Sequence, residues 1–244
     1  MSKNHILITG ASSAIGSEII RQIADKSTVI LAHYHSNMGQ IGILKAEVPG
    51  QIIPIQADLS SLSSIDTLLD AVASECDFPE KIILLAAPKV TLKRFKNLAW
   101  DDFRIHLDIQ LGASVKILNR FLPKMSLARN GRVVFMLSSY TLGVPPSAMA
   151  HYVTVKYALL GLMKALASEY STKGITINAV APSMVETNFL ANVPEKLVEL
   201  AAQQHPLKRN AIPADIAPLI KYLLSDEAVY VTGVTIPITG GMQF

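Results

Sequence analysis

The sequence has almost no cysteine and no long apolar segment. Cys76 is the single cysteine among 244 residues, which excludes an internal disulfide and a cysteine-based zinc site. No run approaches the roughly eighteen apolar residues that cross a bilayer. The N-terminus passes directly into an apolar run and a glycine, without the longer apolar stretch and cleavage site of a signal peptide. We therefore expect a reducing, cytoplasmic setting, with no membrane insertion and no metal site.

Clustered charge is also scarce. Charged residues make up 17% of the chain, the net charge is +3, and the densest basic group is "LKRFK" at 92–96. A nucleic-acid-binding protein more often has a basic stripe or a recognisable module, so we expect no nucleic-acid partner. Half of the residues are hydrophobic, which is enough to bury the core of one large domain.

Short apolar runs alternate with longer segments of helical pattern along the whole chain. We predict strands at 5–9, 28–34, 51–55, 81–87, 132–138, 175–181 and 233–238. We predict helices at 15–26, 64–75, 114–125, 152–170 and 213–227. This alternation predicts an α/β fold: one Rossmann-like domain over 1–244, with a doubly wound sheet of about seven parallel strands and helices on both faces. Ligands of such sheets bind beyond the carboxyl ends of the strands.

A glycine-containing turn, "TGASSAIG" at 9–16, follows the first predicted strand and opens the first helix. Such a turn presents backbone N–H groups and a helix N-terminus to a pyrophosphate. Gly10 would form the tight turn, and Gly16 would let the helix pack closely on the strand. The hydroxyls of Ser12 and Ser13 would add donors. The alternative is an ordinary strand–helix turn.

The end of the second predicted strand lacks an acidic residue. An acid here would bind the ribose hydroxyls of NAD, but there is no Asp or Glu from 29 to 46. His33, His35, Ser36 and Asn37 stand there instead and are compatible with a 2′-phosphate, although no arginine accompanies them. This favours NADP(H) over NAD(H). In the alternative interpretation, these side chains are exposed polar residues of a loop.

Asp58 follows the third predicted strand, in "QADLSS" at 56–61. Its carboxylate can accept a hydrogen bond from an adenine amino group. It can equally cap the helix that follows, as Ser60 or Ser61 can.

Tyr152 and Lys156 stand four residues apart in "HYVTVK" at 151–156. On a helix this spacing puts both side chains on one face, one turn apart. A lysine cation beside a phenol favours the phenolate, so the pair can serve in proton transfer. The alternative is an ordinary exposed helix surface.

Taken in order, these motifs resemble the short-chain dehydrogenase/reductase family over nearly the whole chain. The resemblance rests on "TGASSAIG", "ADL" at 57–59, "SS" at 138–139, Tyr152-x-x-x-Lys156, "NAVAPSMVET" at 178–187 and "TGVTIPITGG" at 232–241. Ser139 lies thirteen residues before Tyr152, as the family's catalytic serine does. Among the subfamilies, the chain is most similar to the compact 3-oxoacyl-acyl-carrier-protein reductases.

The resemblance implies a role for each catalytic candidate. Tyr152 would be the general acid in ketone reduction, and Ser139 would orient the substrate oxygen. Lys156 would lower the tyrosine pKa and hold the nicotinamide ribose. Gln110 stands where the family has an asparagine that holds a proton-relaying water. The implied cofactor-binding residues are Gly10, Ser12, Ser13, Ile15, Gly16, His35, Ser36, Asp58, Leu59, Ala86, Ala87, Tyr152, Lys156, Pro182, Val185 and Thr187.

The chain also departs from the family pattern. "LAAP" at 85–88 replaces Asn-Asn-Ala-Gly, Ser183 replaces a glycine, and Thr239 replaces an aspartate. We expect His151 at the rim of the site. Four apolar side chains near the cleft suggest a substrate with an apolar part: Met149, Met184, Phe189 and Leu190.

We therefore predict an NADP(H)-dependent oxidoreductase that reduces a small or carrier-protein-bound ketone, such as a 3-oxoacyl thioester, to a secondary alcohol. Two alternatives stay open: an NAD-dependent alcohol dehydrogenase of a sugar, steroid or polyol, and a degenerate nucleotide-binding subunit without turnover. The family commonly forms tetramers through the helices at 114–125 and 152–170. A homotetramer is therefore expected, with a heteromer of related subunits as the alternative.

Overall fold

Seven parallel strands form one sheet in the computed structural model, which describes residues 4–243. Their spatial order is β3-β2-β1-β4-β5-β6-β7, and every neighbouring pair is parallel. The strands are β1 (Asn4–Thr9), β2 (Thr28–Tyr34), β3 (Gln51–Gln56), β4 (Lys81–Leu84), β5 (Gly131–Met136), β6 (Ile175–Pro182) and β7 (Thr235–Ile238). The predicted α/β fold class and strand number are confirmed. Residues 1–3 and 244 of the predicted domain lie outside the described residues.

Eight α-helices connect the strands within residues 4–243. They are α1 (Ala14–Ile23), α2 (Met38–Glu47), α3 (Leu62–Glu75), α4 (Trp100–His106), α5 (Ala113–Ala128), α6 (Ala150–Tyr170), α7 (Glu195–Gln204) and α8 (Pro213–Leu223). The five predicted helices are present, whereas α2, α4 and α7 had not been predicted. These three bury little: Ile41 and Leu44 in α2, His106 in α4, and no residue in α7. Without a buried stripe, their apolar periodicity is weak.

Two strands end earlier than predicted because side chains form hydrogen bonds with the backbone just beyond them. β4 stops at Leu84 because the next two N–H groups, of Leu85 and Ala86, donate to Thr9 Oγ1 at 3.0 and 3.2 Å. β5 stops at Met136, since Ser138 caps a 3₁₀ turn over Ser139–Thr141.

The central strands are buried on both faces of the sheet. In β5, Val133 and Phe135 join the core with α3, α5 and α6, whereas Val134 joins the core with α1, α2 and α8. Successive strand side chains point to opposite faces. An apolar residue at consecutive positions therefore requires helices on both sides, as the sequence predicts.

β1 lies between β2 and β4 at the centre of the sheet, where the connections leave toward opposite faces. This is the topological switch point at which doubly wound sheets bind ligands. The loops after β1 and β4 meet here. A Cβ on Gly10 would lie 3.1 Å from Ala86 Cα, and Gly10 has a φ of +71° that favours glycine. Among residues 4–243, no helix has the length and apolar character needed to span a bilayer.

Candidate active site

Tyr152 and Lys156 are buried in the first two turns of α6. Lys156 Nζ donates to the carbonyl of Met136 at 2.8 Å, at the end of β5. The same nitrogen lies 5.5 Å from the centroid of the Tyr152 ring. The pair therefore faces the end of the sheet, and the alternative of an exposed helix surface does not apply.

Burial dominates the electrostatics of this pair. It raises the pKa of Tyr152 above its ordinary value, and the opposing hydrogen bond with Ser138 is smaller. Burial also lowers the pKa of Lys156 to about 7. The expected lowering of the tyrosine pKa by Lys156 is therefore not met, because desolvation penalises both charged forms. The phenol stays protonated near neutral pH, which is the state that a proton donor needs.

A hydrogen bond with Ser138 lowers the pKa of Tyr152, against the larger effect of burial. Ser138 has an extended backbone and caps the turn after β5, with its Oγ 3.4 Å from the N–H of Tyr140. Ser139 is the buried first residue of that turn. The role of Ser139, which its spacing from Tyr152 indicates, stays a prediction.

Gln110 lies in a π-helical segment, Leu107–Gly112, that joins α4 to α5. Such wide turns occur frequently at functional sites. The Ser114 hydroxyl donates to the Gln110 carbonyl at 2.5 Å. The Gln110 side chain lines the same small cavity as Lys156, which has room for about one water molecule. The structure thus brings Gln110 and Lys156 together.

The turn after β1 has the close packing that the sequence predicts. A Cβ on Gly16 would lie 2.7 Å from the carbonyl oxygens of both Gly10 and Ala11, so this position needs glycine. The Ser13 hydroxyl accepts the N–H of Gly16 at 3.0 Å and caps α1. Ser12 and Ile15 lie beside it, Ser12 half-buried and Ile15 also partly covered. The turn leaves the N-terminus of α1 at the switch point, where an anion is stabilised.

His33 is a buried strand residue and not part of an exposed loop. Its Nδ1 accepts the N–H of Gly10 at 3.0 Å, and its Nε2 lies 3.1 Å from the carbonyl of Ala57. One imidazole therefore connects the ends of β1, β2 and β3. Burial lowers its pKa to about 4, so it is neutral near pH 7. His35 and Ser36, which follow it, are exposed.

Acid should destabilise the fold through His33. Its pKa is about 4 in the folded chain and about 6.5 in an unfolded one. Between these values the unfolded chain binds more protons, so stability falls as pH falls through this window, by roughly 2 kcal/mol at pH 5 for this group. His33→Asn keeps an acceptor for Gly10 and should lose that part of the acid sensitivity in urea unfolding at pH 7 and 5. His35→Asn is the exposed control; equal pH dependence in wild type and His33→Asn would contradict the assignment.

The residues after β3 form a capped turn. Asp58 Oδ1 accepts the backbone N–H and the hydroxyl of Ser60 at 2.9 and 2.7 Å, which lowers the pKa of this exposed carboxyl. The N-cap of α3 is Ser61, which accepts the N–H of Ser64 at 3.4 Å. Leu59 is buried and lines the cavity near Lys156. Asp58 therefore organises the turn, and the helix cap belongs to Ser61.

The remaining cofactor candidates lie after β4 and β6. Ala86 and Ala87 are half-buried, and Ala86 lines the cavity with Lys156. Pro182 is the buried last residue of β6, and Val185 pairs with Ala211 in an isolated bridge. Thr187 caps a 3₁₀ turn, Asn188–Leu190. Because all strands are parallel, these segments share one edge of the sheet with the turns after β1 and β3.

An apolar wall borders the tyrosine. Val90, Met149 and Val153 pack with Tyr152, and the Phe189 ring lies 6.2 Å from the tyrosine ring. Two of the four predicted apolar residues, Met149 and Phe189, thus adjoin Tyr152. Met184 and Leu190 are half-buried in the segment after β6.

His151 is buried and does not lie at the rim. The N-terminus of α6 packs against α4, and the His151 ring lies 5.0 Å from His106 and 6.4 Å from Phe103 between ring centroids. Its Nε2 lies 3.3 Å from Thr91 Oγ1.

His106, Thr9 and Ser138 are further site residues that the sequence did not single out. Only Ser138 had a signal, as the first serine of the "SS" motif.

Comparisons with known proteins agree with this geometry. A family model described as enoyl-(acyl carrier protein) reductase matches residues 10–243. A 3-oxoacyl-[acyl-carrier-protein] reductase of Staphylococcus aureus is 30% identical over 243 residues, which cover 97% of this chain and 96% of the relative. Nodulation protein G of Rhizobium meliloti is 29% identical over 238 residues, with 97% and 95% coverage.

Two solved structures extend the likeness to three dimensions. A 3-oxoacyl-[acyl-carrier protein] reductase with bound NAD from Brucella melitensis has a TM-score of 0.87 at 25% identity, over 100% of this chain and 92% of its own. The second structure is a putative NAD(P)-dependent gluconate 5-dehydrogenase from Beutenbergia cavernae with bound NADP. It has a TM-score of 0.87 at 26% identity, over 99% of this chain and 97% of its own. With the family model, these matches show that the chain belongs to the short-chain dehydrogenase/reductase family of NAD(P)-dependent oxidoreductases.

Proposed function

We propose that this protein reduces the ketone of a 3-oxoacyl thioester, or of a similar small ketone, to a secondary alcohol with NADPH. The observation that carries the proposal is the buried Tyr152, one helical turn from Lys156, whose Nζ lies 5.5 Å from the tyrosine ring centroid. This group lies at the same sheet edge as the glycine turn. The names of the relatives in Staphylococcus aureus and Brucella melitensis support the substrate class and its delivery on a carrier protein.

A dinucleotide fits the residues at the switch point. Gly10 and Gly16 let the turn and α1 pack closely against neighbouring backbone, and the N-terminus of α1 opens at this edge of the sheet. The bound nicotinamide supplies the hydride. In this proposal Lys156 would hold the ribose hydroxyls, and the turns after β3, β4 and β6 would contact the rest of the nucleotide.

The protein's own residues handle the proton and the charge. Tyr152 donates its proton to the carbonyl oxygen as that oxygen gains negative charge. Ser138 donates a second hydrogen bond to the same oxygen and orients it. Gln110 and Lys156 line a cavity with room for about one water molecule, and we propose that a water there would return a proton to the site. Two donors aimed at one oxygen suit a ketone better than an alkene.

NADPH is the proposed cofactor because no carboxylate stands at the end of β2. Exposed His35 and Ser36 occupy that position, and neither repels a 2′-phosphate as an acid would. The bound nucleotide in the related structures is NAD in one and NADP in the other.

Steady-state kinetics test both parts of the proposal. We expect NADPH oxidation with 3-oxoacyl thioesters, and a kcat/KM about tenfold higher with NADPH than with NADH, which equals about 1.4 kcal/mol. A 2-enoyl thioester should not be reduced. Faster turnover with NADH and a sugar or polyol would favour the alcohol-dehydrogenase alternative. No turnover with any substrate, together with tight NADPH binding, would favour the non-catalytic alternative.

The proposed assembly is a homotetramer through α5 and α6. Partly exposed apolar residues follow the outer faces of these helices: Val115 and Tyr157 are 36% and 46% exposed, and Gly161 has open space around it. Multi-angle light scattering at micromolar concentration should give four times the 26.4 kDa chain mass. A monomer would contradict the proposal, and a tetramer formed only with a related subunit would favour the heteromer.

A further inference from the structure

His106 and Gln110 form a buried pair that the proposed chemistry does not by itself explain. Gln110 Nε2 lies 3.0 Å from His106 Nδ1, one helical turn earlier, and both side chains are 3% exposed. Gln110 Oε1 is buried and has no hydrogen-bond partner among the described residues. Gln110 and Lys156 both line the same small cavity.

We infer that His106 is a positioning residue that fixes the amide of Gln110, so that Oε1 is presented to the cavity beside Lys156. This inference rests on the proposed function and adds a residue to its proton-handling machinery. His106 acts through Gln110, since its Nδ1 atom is engaged by the amide.

The need for such a residue follows from the glutamine itself. Glutamine has one more rotatable side-chain bond than asparagine. It therefore has more rotamers from which one must be selected. A buried amide also needs partners for its N–H groups. The acceptor on His106 meets both requirements, because it binds Nε2 and leaves only Oε1 to face the cavity.

The imidazole is itself held in place. The His151 ring lies 5.0 Å away at 70° and the Tyr152 ring 6.1 Å away at 81°, both edge-on between centroids. An imidazole that accepts at Nδ1 carries its proton on Nε2. Burial lowers the pKa of His106 to about 4, so the neutral acceptor form persists at neutral pH.

A double-mutant cycle separates positioning from packing. His106→Leu should lower kcat about tenfold and leave KM for NADPH and thioester within about twofold, as expected when a reacting group is misplaced. His106→Asn places an oxygen where Nδ1 stands and should restore most of the activity. In a Gln110→Asn background the side chain is short and needs no anchor, so His106→Leu should then have less than about a twofold effect. Ile105→Asn, at the exposed neighbouring position, is the matched control.

Nuclear magnetic resonance gives a readout that does not depend on turnover. The side-chain NH₂ protons of Gln110 should exchange slowly in wild type and in His106→Asn, and rapidly in His106→Leu. Equal losses of kcat for His106→Leu in the wild-type and Gln110→Asn backgrounds, or unchanged amide exchange, would overturn the inference. Unfolding midpoints identify variants that fail to fold. If His106→Leu does not fold, the exchange rate of the Gln110 amide in His106→Asn alone tests the positioning role. If wild type reduces no ketone, the proposed function fails while the exchange experiment still decides the positioning role.

Discussion

Replacing Tyr152 with phenylalanine should lower kcat for ketone reduction by at least ~10²-fold, the low end of what a positioned acid contributes. The substitution removes the buried hydroxyl that hydrogen-bonds Ser138 and leaves the ring. Proton transfer to the substrate oxygen must then come from water. Binding of NADPH depends on groups other than the tyrosine hydroxyl, and the variant keeps them. KM for NADPH should therefore change far less than kcat.

The phenylalanine variant is expected to fold because the ring, and not the hydroxyl, carries the packing. Tyr140, His106 and Phe189 all contact that ring, with centroids 6.4, 6.1 and 6.2 Å away. Tyr157→Phe is the matched control: it lies on the same helix and is 46% exposed. Stopped-flow or steady-state NADPH oxidation measures both variants. Turnover of Tyr152→Phe within a few-fold of wild type would show that another group donates the proton.

Ser138→Ala should lower kcat by about 10²-fold, whereas Ser139→Ala should stay within about threefold of wild type. Loss of one oriented donor to a developing oxyanion typically costs this much. Ser138 is the serine whose side chain meets Tyr152. Ser139 begins the 3₁₀ turn, and its carbonyl accepts the N–H of Leu142 at 2.9 Å, a contact that alanine keeps.

The two serines are a matched pair for this experiment, because they are adjacent and both buried. Ser138→Ala also removes the cap on Tyr140, so its unfolding midpoint must be compared with wild type. Ser138→Thr keeps a hydroxyl and should recover part of the rate. A larger loss of kcat in Ser139→Ala than in Ser138→Ala would instead support Ser139, the serine predicted from its spacing to Tyr152.

The sheet and its edge could be predicted because their signals are local. Consecutive apolar residues in β4 and β5 require cover on both faces, and parallel strands put all their carboxyl ends together. Gly16 also had a local reason, since a Cβ there would strike the carbonyl oxygens of Gly10 and Ala11. These features need no knowledge of distant partners.

The sequence analysis missed three helices, α2, α4 and α7, and misplaced the ends of β4 and β5. Contacts with other parts of the fold determine these features. Thr9 ends β4 from a strand that lies 76 positions earlier than Leu85. A local sequence pattern does not predict a hydrogen bond between residues so far apart in the chain. The same holds for His33, whose two partners lie in the turn after β1 and the loop after β3.

The sequence by itself determined the fold class, the edge that carries the site, and the pairing of Tyr152 with Lys156 on one helix face. Tertiary structure alone decided how deeply the pair is buried, that Ser138 affects the pKa of Tyr152, and what holds Gln110. The reason is physical: periodicity and turn chemistry act over a few residues. Desolvation and side-chain hydrogen bonds depend instead on what the rest of the chain packs around each group.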